Sequence, residues 1–276
     1  MKINVVCPIC NSDLTLEAPD TEIVGYINRL SNIKKTLICN SLIDKASELA
    51  AHFSLLEKTE PLISPLVVVQ DNYDSLGIVD RYYEWAFVTE KLYENKTLNN
   101  RILDVGSALT ALPSIMASMG NEVVSVDIQK WEMPWKGVIT VQLDLLCDII
   151  PYPDNYFDYV VCISAIEHFG LGRYVDIASP DGDFEGMRAI INALKPGGGL
   201  ILTFPVGLPA IVYPAHRIYG PKRVERLIQG FTIEDKRFFN AKKDIPLARF
   251  ECTEEEAFQA EPRHYSIGCY FLRNSK

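Results

Sequence analysis

Several things are scarce in this sequence, and each scarcity excludes a class of protein. No apolar run in the 276 residues approaches the ~18 residues that a membrane-spanning helix needs. The opening MKINVVCPIC has neither a long apolar core nor a small-residue cleavage site, so no secretory signal is expected. Basic side chains are outnumbered, 27 Lys and Arg against 36 Asp and Glu, for a formal net charge of −9. A surface of that sign repels phosphate backbones, so nucleic acid is not an expected partner. The small clusters Lys222/Arg223/Arg226 and Lys242/Lys243 read as solvated faces. Seven cysteines are an odd number, and Cys147, Cys162 and Cys269 stand in apolar contexts. They read as reduced packing residues, and the expected location is cytoplasmic.

What remains is ordinary globular material, 48% apolar and 23% charged, enough for one large domain or one domain with a small appendage. From residue 100 onward, strand-like and helix-like periods alternate. Arg101–Val105 reads as a strand ending at Gly106, followed by a helix over 107–119 that Gly120-Asn121 breaks. Val123–Asp127, Val138–Leu143 and Tyr159–Ser164 read as three more strands. Asp183 is placed to cap a helix carrying Met187, Ile190, Ile191 and Leu194, which Lys195-Pro196-Gly197-Gly198 stops before a strand at Leu200–Phe204. A helix at Arg223–Gln229 precedes two final strands, Phe231–Phe238 and Tyr265–Leu272. The polar stretch Thr253–Arg263 between them is no clear helix, so an antiparallel end is expected. The pattern predicts an α/β fold: a Rossmann-like, seven-stranded, mostly parallel sheet with flanking helices.

The first 98 residues are expected to form a smaller N-terminal segment ahead of a domain over 99–276. Leu42–Leu56 and Asp80–Leu92 look helical, the second rich in aromatics, with Pro61, Pro65 and Gln70–Gly77 as connecting loop. Tyr82, Tyr83, Trp85 and Phe87 read mainly as packing residues, with capping of a pocket as the alternative. Cys7-Pro8-Ile9-Cys10 has the spacing of half a zinc knuckle, and CPICNSDLTLE resembles the opening of a zinc ribbon. Cys39 is the nearest third thiol, but Leu42 stands where a fourth would belong. Two free thiols in a turn are the expected state, with zinc on Cys7, Cys10 and Cys39 as the alternative.

The informative element is ILDVGSALTALP, a strand, a glycine and a helix start. Glycine there lets the backbone approach a ligand at free helix N–H groups. A dinucleotide site wants G-x-G-x-x-G, but only Gly106 is present, with Ala108 and Ala111 in the other places. Asp127 ends the second strand and Asp144 follows the third. Joint placement at the carboxyl ends of successive strands suits one ligand site, with Asp127 on ribose hydroxyls.

ILDVGSALTALP, VVSVD, LDLLCDIIPYPDNYFDYVVCISAIEH and ALKPGGGLILTFPVG together resemble the ordered motifs of class I S-adenosylmethionine-dependent methyltransferases over residues 98–274. The resemblance implies S-adenosyl-L-methionine as cofactor, with Asp104, Gly106, Ser107 and Ala108 beside its methionine portion. Asp127 and Ile128 would hold the ribose, Asp144 and Leu145 the adenine, and Ser164 would complete the site. The departure is Ser107-Ala108 in place of the usual x-Gly. HFGLGRYVDIASPDGD and AHRIYGPKRVERLIQGF resemble a narrower set of methyltransferase-like proteins. Some of those accompany cell-surface glycan synthesis, which hints at a sugar or sugar-nucleotide acceptor.

A methyl donor carries its own reactivity, so the protein mainly aligns the displacement, and a hydroxyl acceptor gains from a general base. Glu167, His168 and His216 are the candidates, each with a structural hydrogen bond as its alternative role. Arg173, Tyr174, Arg217 and Tyr219 are placed to hold an anionic or polyhydroxyl substrate. The expected function is methyl transfer to a small molecule or glycan. A non-catalytic relative that binds the cofactor or a partner stands second, and a nicotinamide oxidoreductase is weakened by the missing glycines.

Overall fold

In a computed structural model of the chain, the described backbone comprises residues 2–6, 13–17, 74–107, 110–174, 176, 178–242 and 245–276. Side chains are described within 80–107, 110–174, 176, 178–241 and 249–276. Cys7, Cys10, Cys39, the Leu42–Leu56 helix and the Pro61/Pro65 loop lie outside the described residues, as does Ala108. Strands β1 (Lys2–Val6) and β2 (Asp13–Glu17) pair antiparallel.

The main sheet has eight strands. In chain order they are β3 (Arg101–Val105), β4 (Glu122–Asp127), β5 (Val138–Gln142), β6 (Phe157–Ile163) and β7 (Leu194–Val206). After the small β8 (Ala210–Val212)–β9 (His216–Ile218) pair come β10 (Phe231–Lys242), β11 (Ile245–Cys252) and β12 (Ser266–Asn274). The spatial order is β11-β10-β12-β7-β6-β3-β4-β5, parallel from β5 to β7 and antiparallel beyond. The chain leaves β3 toward β4 and β5, then crosses back to β6, so the strand order reverses beside β3. Open α/β sheets bind ligands outside the carboxyl ends at such a point.

Period-two burial explains how the sheet is held. Leu103, Val105, Val160, Cys162, Leu200, Leu202 and Phe204 point into one apolar layer. Ile102, Tyr159, Val161, Ile163 and Ile201 point into the other. The first layer is covered by α3 (Gly182–Ala193) and α4 (Pro221–Leu227), the second by α1 (Asp74–Glu94) and α2 (Leu112–Ser118). Near-continuous apolar strands are what burial on both faces requires.

Several expectations are corrected. The sheet gains an eighth strand, β11, in a stretch too mixed in polarity to show an alternating pattern. Helix α1 starts at Asp74, inside the expected loop Gln70–Gly77. Helix α2 starts only at Leu112, five residues later than expected, with a proline in its first turn. Asp183 is not a cap: Asp181 holds that position, and Asp183 sits buried in the first turn of α3. The helix ends at Ala193, ahead of Lys195–Gly198 as expected, but that stretch already belongs to β7 as a bulge, where the register with β6 shifts and Gly197 takes φ +70°. The polar stretch before β12 contains α5 (Glu254–Phe258), closed by a capping box between Thr253 and Glu256.

Helix α1 is bound to the antiparallel edge by charge. Asp80 and Arg249 form a bidentate pair at 2.6 and 3.1 Å, and the Tyr83 hydroxyl donates to the Arg249 carbonyl at 2.7 Å. Further along, Glu90 takes Arg237 and Lys91 takes Asp235 at 2.8 Å. Only 2% of the Arg249 side chain and 5% of Asp80 are exposed. Arg249→Met should therefore cost about 3–5 kcal/mol, because it strands a buried carboxylate. Denaturant unfolding measures this, and a loss under about 1 kcal/mol, the size of an exposed pair, would contradict it.

Candidate active site

The carboxyl ends of β3, β4, β5 and β6 open into a cleft with about 930 Å³ of empty space, part of it continuous with solvent. Its walls include Gly106, Asp127, Ile128, Asp144, Leu145, Ser164, His168 and Tyr174. Eight of the sequence-expected site residues thus converge, from positions up to 68 apart in the chain numbering of Gly106 and Tyr174. Val126, Leu143 and Leu146 complete an apolar slot beside the two carboxylates.

Local structure explains the placement. Gly106 takes φ +75°, and a Cβ there would meet the Ala165 Cβ at 2.4 Å. Any side chain would thus wedge β3 from the turn after β6 and close the cleft between them. Asp127 Oδ1 accepts the Gln129 N–H at 2.7 Å, and Asp144 Oδ1 accepts that of Leu146 at 2.9 Å. Both acids therefore shape their own turns while facing the cleft.

A second, smaller cavity of about 220 Å³ lies on the α1 side and is lined by Asp104, Gly106, Ser107, Thr110, Arg81 and Trp85 among others. Arg81, Gly106 and Thr110 border both spaces. Asp104 is buried, and burial pushes its carboxyl up to about 7, although hydroxyls of Ser107 and Ser125 favour the ionised form. Ser125 donates to Asp104 Oδ2 at 3.1 Å and is itself bound to Ser107.

After β6, a one-turn 3₁₀ helix spans Ile166–His168. His168 Nδ1 contacts the Ala215 carbonyl oxygen. A carbonyl can only accept, so Nδ1 carries the proton and Nε2 keeps its lone pair. Burial, then the Arg173 guanidinium, holds the His168 pKa well below the ordinary range, so the ring is neutral. Glu167 is buried, with Oε1 3.7 Å from His168 Nε2, and Oε2 has no hydrogen-bond partner among the described residues. Burial pushes Glu167 up to about 8. Tyr174 stands edge-on to His168, with ring centroids 5.9 Å apart.

Four sequence candidates do not reach the cleft wall. Glu167 stops behind His168, and His216 is buried between His168 and Tyr265, its pKa lowered to about 3 mainly by burial. Arg217 is no substrate clamp: its guanidinium donates to the carbonyls of Glu167, Phe169, Ser179 and Pro180. Tyr219 packs against Phe204 in the core. Arg173 is exposed at the rim, donating to Ala215 O at 3.3 Å. The HRIYG and DGD motifs are thus scaffold. Arg217, together with a bidentate Arg223–Asp183 pair at 2.7 and 2.9 Å, ties down the loop between Phe169 and Gly182.

Sequence reasoning missed Arg81, Glu84, Thr203 and Asp176. Asp176 accepts backbone N–H bonds from Gly170, Gly172 and Tyr174, at 2.8 to 3.1 Å, and so folds the GLGRY loop that brings Tyr174 to the cleft. Glu84 is fully buried on α1 and meets Thr203, Ser164 and Arg81. One signal was available. Asp104, Ser125 and Thr203 interrupt apolar strands on the same face, and Asp80 and Glu84 continue the apolar stripe of Phe87, Val88 and Leu92 at helical spacing.

The sheet order, the cleft and its acidic strand ends define an α/β fold of the class I methyltransferase kind. A solved structure agrees in fold. The chain superposes on 1,6-didemethyltoxoflavin-N1-methyltransferase from Burkholderia thailandensis, solved with 1,6-didemethyltoxoflavin and S-adenosylhomocysteine, with TM-score 0.50 and 14% identity. That match covers 78% of this chain and 95% of the other. N-methyltransferase NodS from Bradyrhizobium japonicum WM9, in complex with S-adenosylhomocysteine, matches with TM-score 0.48, 14% identity and coverage of 72% and 88%. By sequence, residues 121–265 match the family described as "Caenorhabditis protein of unknown function, DUF268", and the chain belongs to that family. No curated protein matches it. Among the described residues no helix is long and apolar enough to cross a membrane, and no group of three or more His, Cys, Asp or Glu is placed to hold a metal ion.

Glu167 gives the site a pH signature. Its folded pKa lies above the unfolded value, so the native state keeps a proton that the unfolded chain releases. Stability attributable to this group is present below about pH 4.5 and declines as pH rises toward 8. Glu167→Gln should remove that decline, so the variant gains stability relative to wild type across this window. Parallel pH profiles in chemical denaturation would refute the buried, neutral carboxyl.

Proposed function

We propose that this chain transfers a methyl group from S-adenosyl-L-methionine to a small-molecule or glycan acceptor that presents an O–H or N–H. The reading is carried by one observation: Gly106, Asp127, Asp144 and His168 line a single cleft where the strand order reverses.

The residues present fit such a donor by their chemistry. Asp127 at the end of β4 is suited to a pair of ribose hydroxyls, and Ile128, Leu143, Leu145 and Leu146 form apolar walls for a purine with Asp144 at its polar edge. Asp104, Ser107 and Thr110 would face the amino-acid end from the smaller cavity. The donor when bound supplies an electrophilic methyl group on a sulfonium.

The protein's own contribution is alignment and proton handling. His168 is neutral with its lone pair on Nε2, the state a general base requires, and the Ala215 carbonyl fixes that tautomer. As the acceptor loses its proton, Nε2 takes it, 3.7 Å from Oε1 of the neutral Glu167 carboxyl. Glu167 and His216 thus act behind the base, and Tyr174 and Arg173 border the acceptor's side. Arg173 at the rim favours an acceptor with negative charge, and a sugar nucleotide or an acidic sugar combines that charge with protic groups.

Titration calorimetry of the purified chain with S-adenosylhomocysteine tests the donor assignment. We expect micromolar binding, and Asp127→Ala should weaken it at least tenfold while leaving the melting temperature of the free protein near wild type. Absence of binding to the wild-type chain would move the reading to a non-catalytic partner-binding protein. His168→Ala should retain binding and lose turnover once an acceptor is in hand.

A further inference from the structure

Glu84 lies on α1, 80 positions before Ser164 and 119 before Thr203. It is fully buried, yet it reaches the carboxyl ends of two adjacent strands. Oε1 accepts from Thr203 Oγ1 at 2.6 Å and from Ser164 Oγ, while Oε2 takes Arg81 Nη1 at 2.8 Å. Thr203 Oγ1 in turn accepts the Ser164 N–H at 3.1 Å. Ser164 stands at φ +43°, in the left-handed region that a serine seldom adopts. These bonds hold it there, at the point where β6 turns toward His168.

Arg81 is the second part of the device. Its Nη1 is shared between Glu84 and the Ile163 carbonyl at 3.4 Å, and its side chain remains one-third exposed. The residue borders both the large cleft and the small cavity. That small cavity therefore carries a guanidinium from α1 and the Asp104 carboxyl from β3. One cationic and one acidic group across a small space match the two ends of an α-amino acid. A guanidinium spent wholly on structure would be buried on protein acceptors, as Arg217 is.

We propose that Glu84 is a positioning residue for the donor's amino-acid end: it holds Arg81 at the wall between the two cavities, where the guanidinium receives the donor's carboxylate. This rests on the donor reading above. It makes α1 part of the cofactor site, and through Ser164 the same carboxylate sets the turn that carries His168.

The test is calorimetry with two probes that share the nucleoside, S-adenosylhomocysteine and 5′-methylthioadenosine, the second lacking the amino-acid end. Wild type should bind the homocysteine compound more tightly. Arg81→Ala should weaken it tenfold or more and leave methylthioadenosine within twofold, with Arg81→Lys restoring part of the loss. Glu84→Gln keeps an acceptor for Ser164 and Thr203 but drops the charge that holds Arg81, so it should show the same selective loss at severalfold. Equal losses for both probes would reduce Glu84 to a purely structural role, and no loss in Arg81→Ala would overturn the proposal outright. Arg81 is partly exposed, so its variants report even if Glu84→Gln fails to fold. If wild type binds methylthioadenosine but gains nothing from the amino-acid end, only this inference falls. If wild type binds neither probe, the donor reading falls with it.

Discussion

A carboxylate taken out of water must be met by hydrogen bonds and positive charge, or it will not stay ionised. Helix α1 buries two of them, Asp80 and Glu84, one turn apart. Asp80 is met by Arg249 at the antiparallel edge, and Glu84 by Arg81, Ser164 and Thr203 at the parallel centre. Such pairs add little net stability compared with apolar packing, but they are demanding about geometry. They let α1 lie on the sheet in one register, because sliding by a turn would leave at least one acid without its partners. The wall between the two cavities, the strained Ser164 and the entry to the His168 turn all depend on that register.

The same logic of satisfied polar groups organises the opposite side of the cleft. The loop from Phe169 to Gly182 is held by Asp176 from within and by Arg217 and Arg223 from outside. Gly170 and Gly172, at φ +74° and +73°, let successive N–H groups turn toward one carboxylate. Residues that read as substrate ligands in a linear motif turn out to be the fixtures of that loop. Tyr174 and His168 are what the fixtures present.

The parallel half of the fold was legible because its signal is local. Strands buried on both faces are short apolar runs, and β3, β4, β5 and β6 fall within two residues of where those runs stand. The glycine after β3 and the acids after β4 and β5 were legible for the same reason, since a strand end dictates where the next residue points. Strand β11 was not, because its burial comes from pairing with β10 at an edge, and mixed polarity is what an edge permits. The start of α2 was displaced by Pro113, and the Lys195–Gly198 stretch does end α3 but already belongs to β7, because glycine and proline mark bulges as well as stops.

The sequence by itself determined the strand order's raw material and the acids that line the cleft, since both follow from periods of two to four residues. Only the tertiary structure decided which of the remaining polar residues face the cleft. Glu167 and His168 are neighbours in the chain, yet one is buried behind the other. Arg217 is drawn to backbone carbonyls that no sequence pattern announces, and Arg81 and Glu84 come from a helix outside the motifs altogether. The physical reason is that burial and hydrogen bonding are satisfied over contacts of 40 to 169 residues' separation, and a charge's role is fixed by what meets it there.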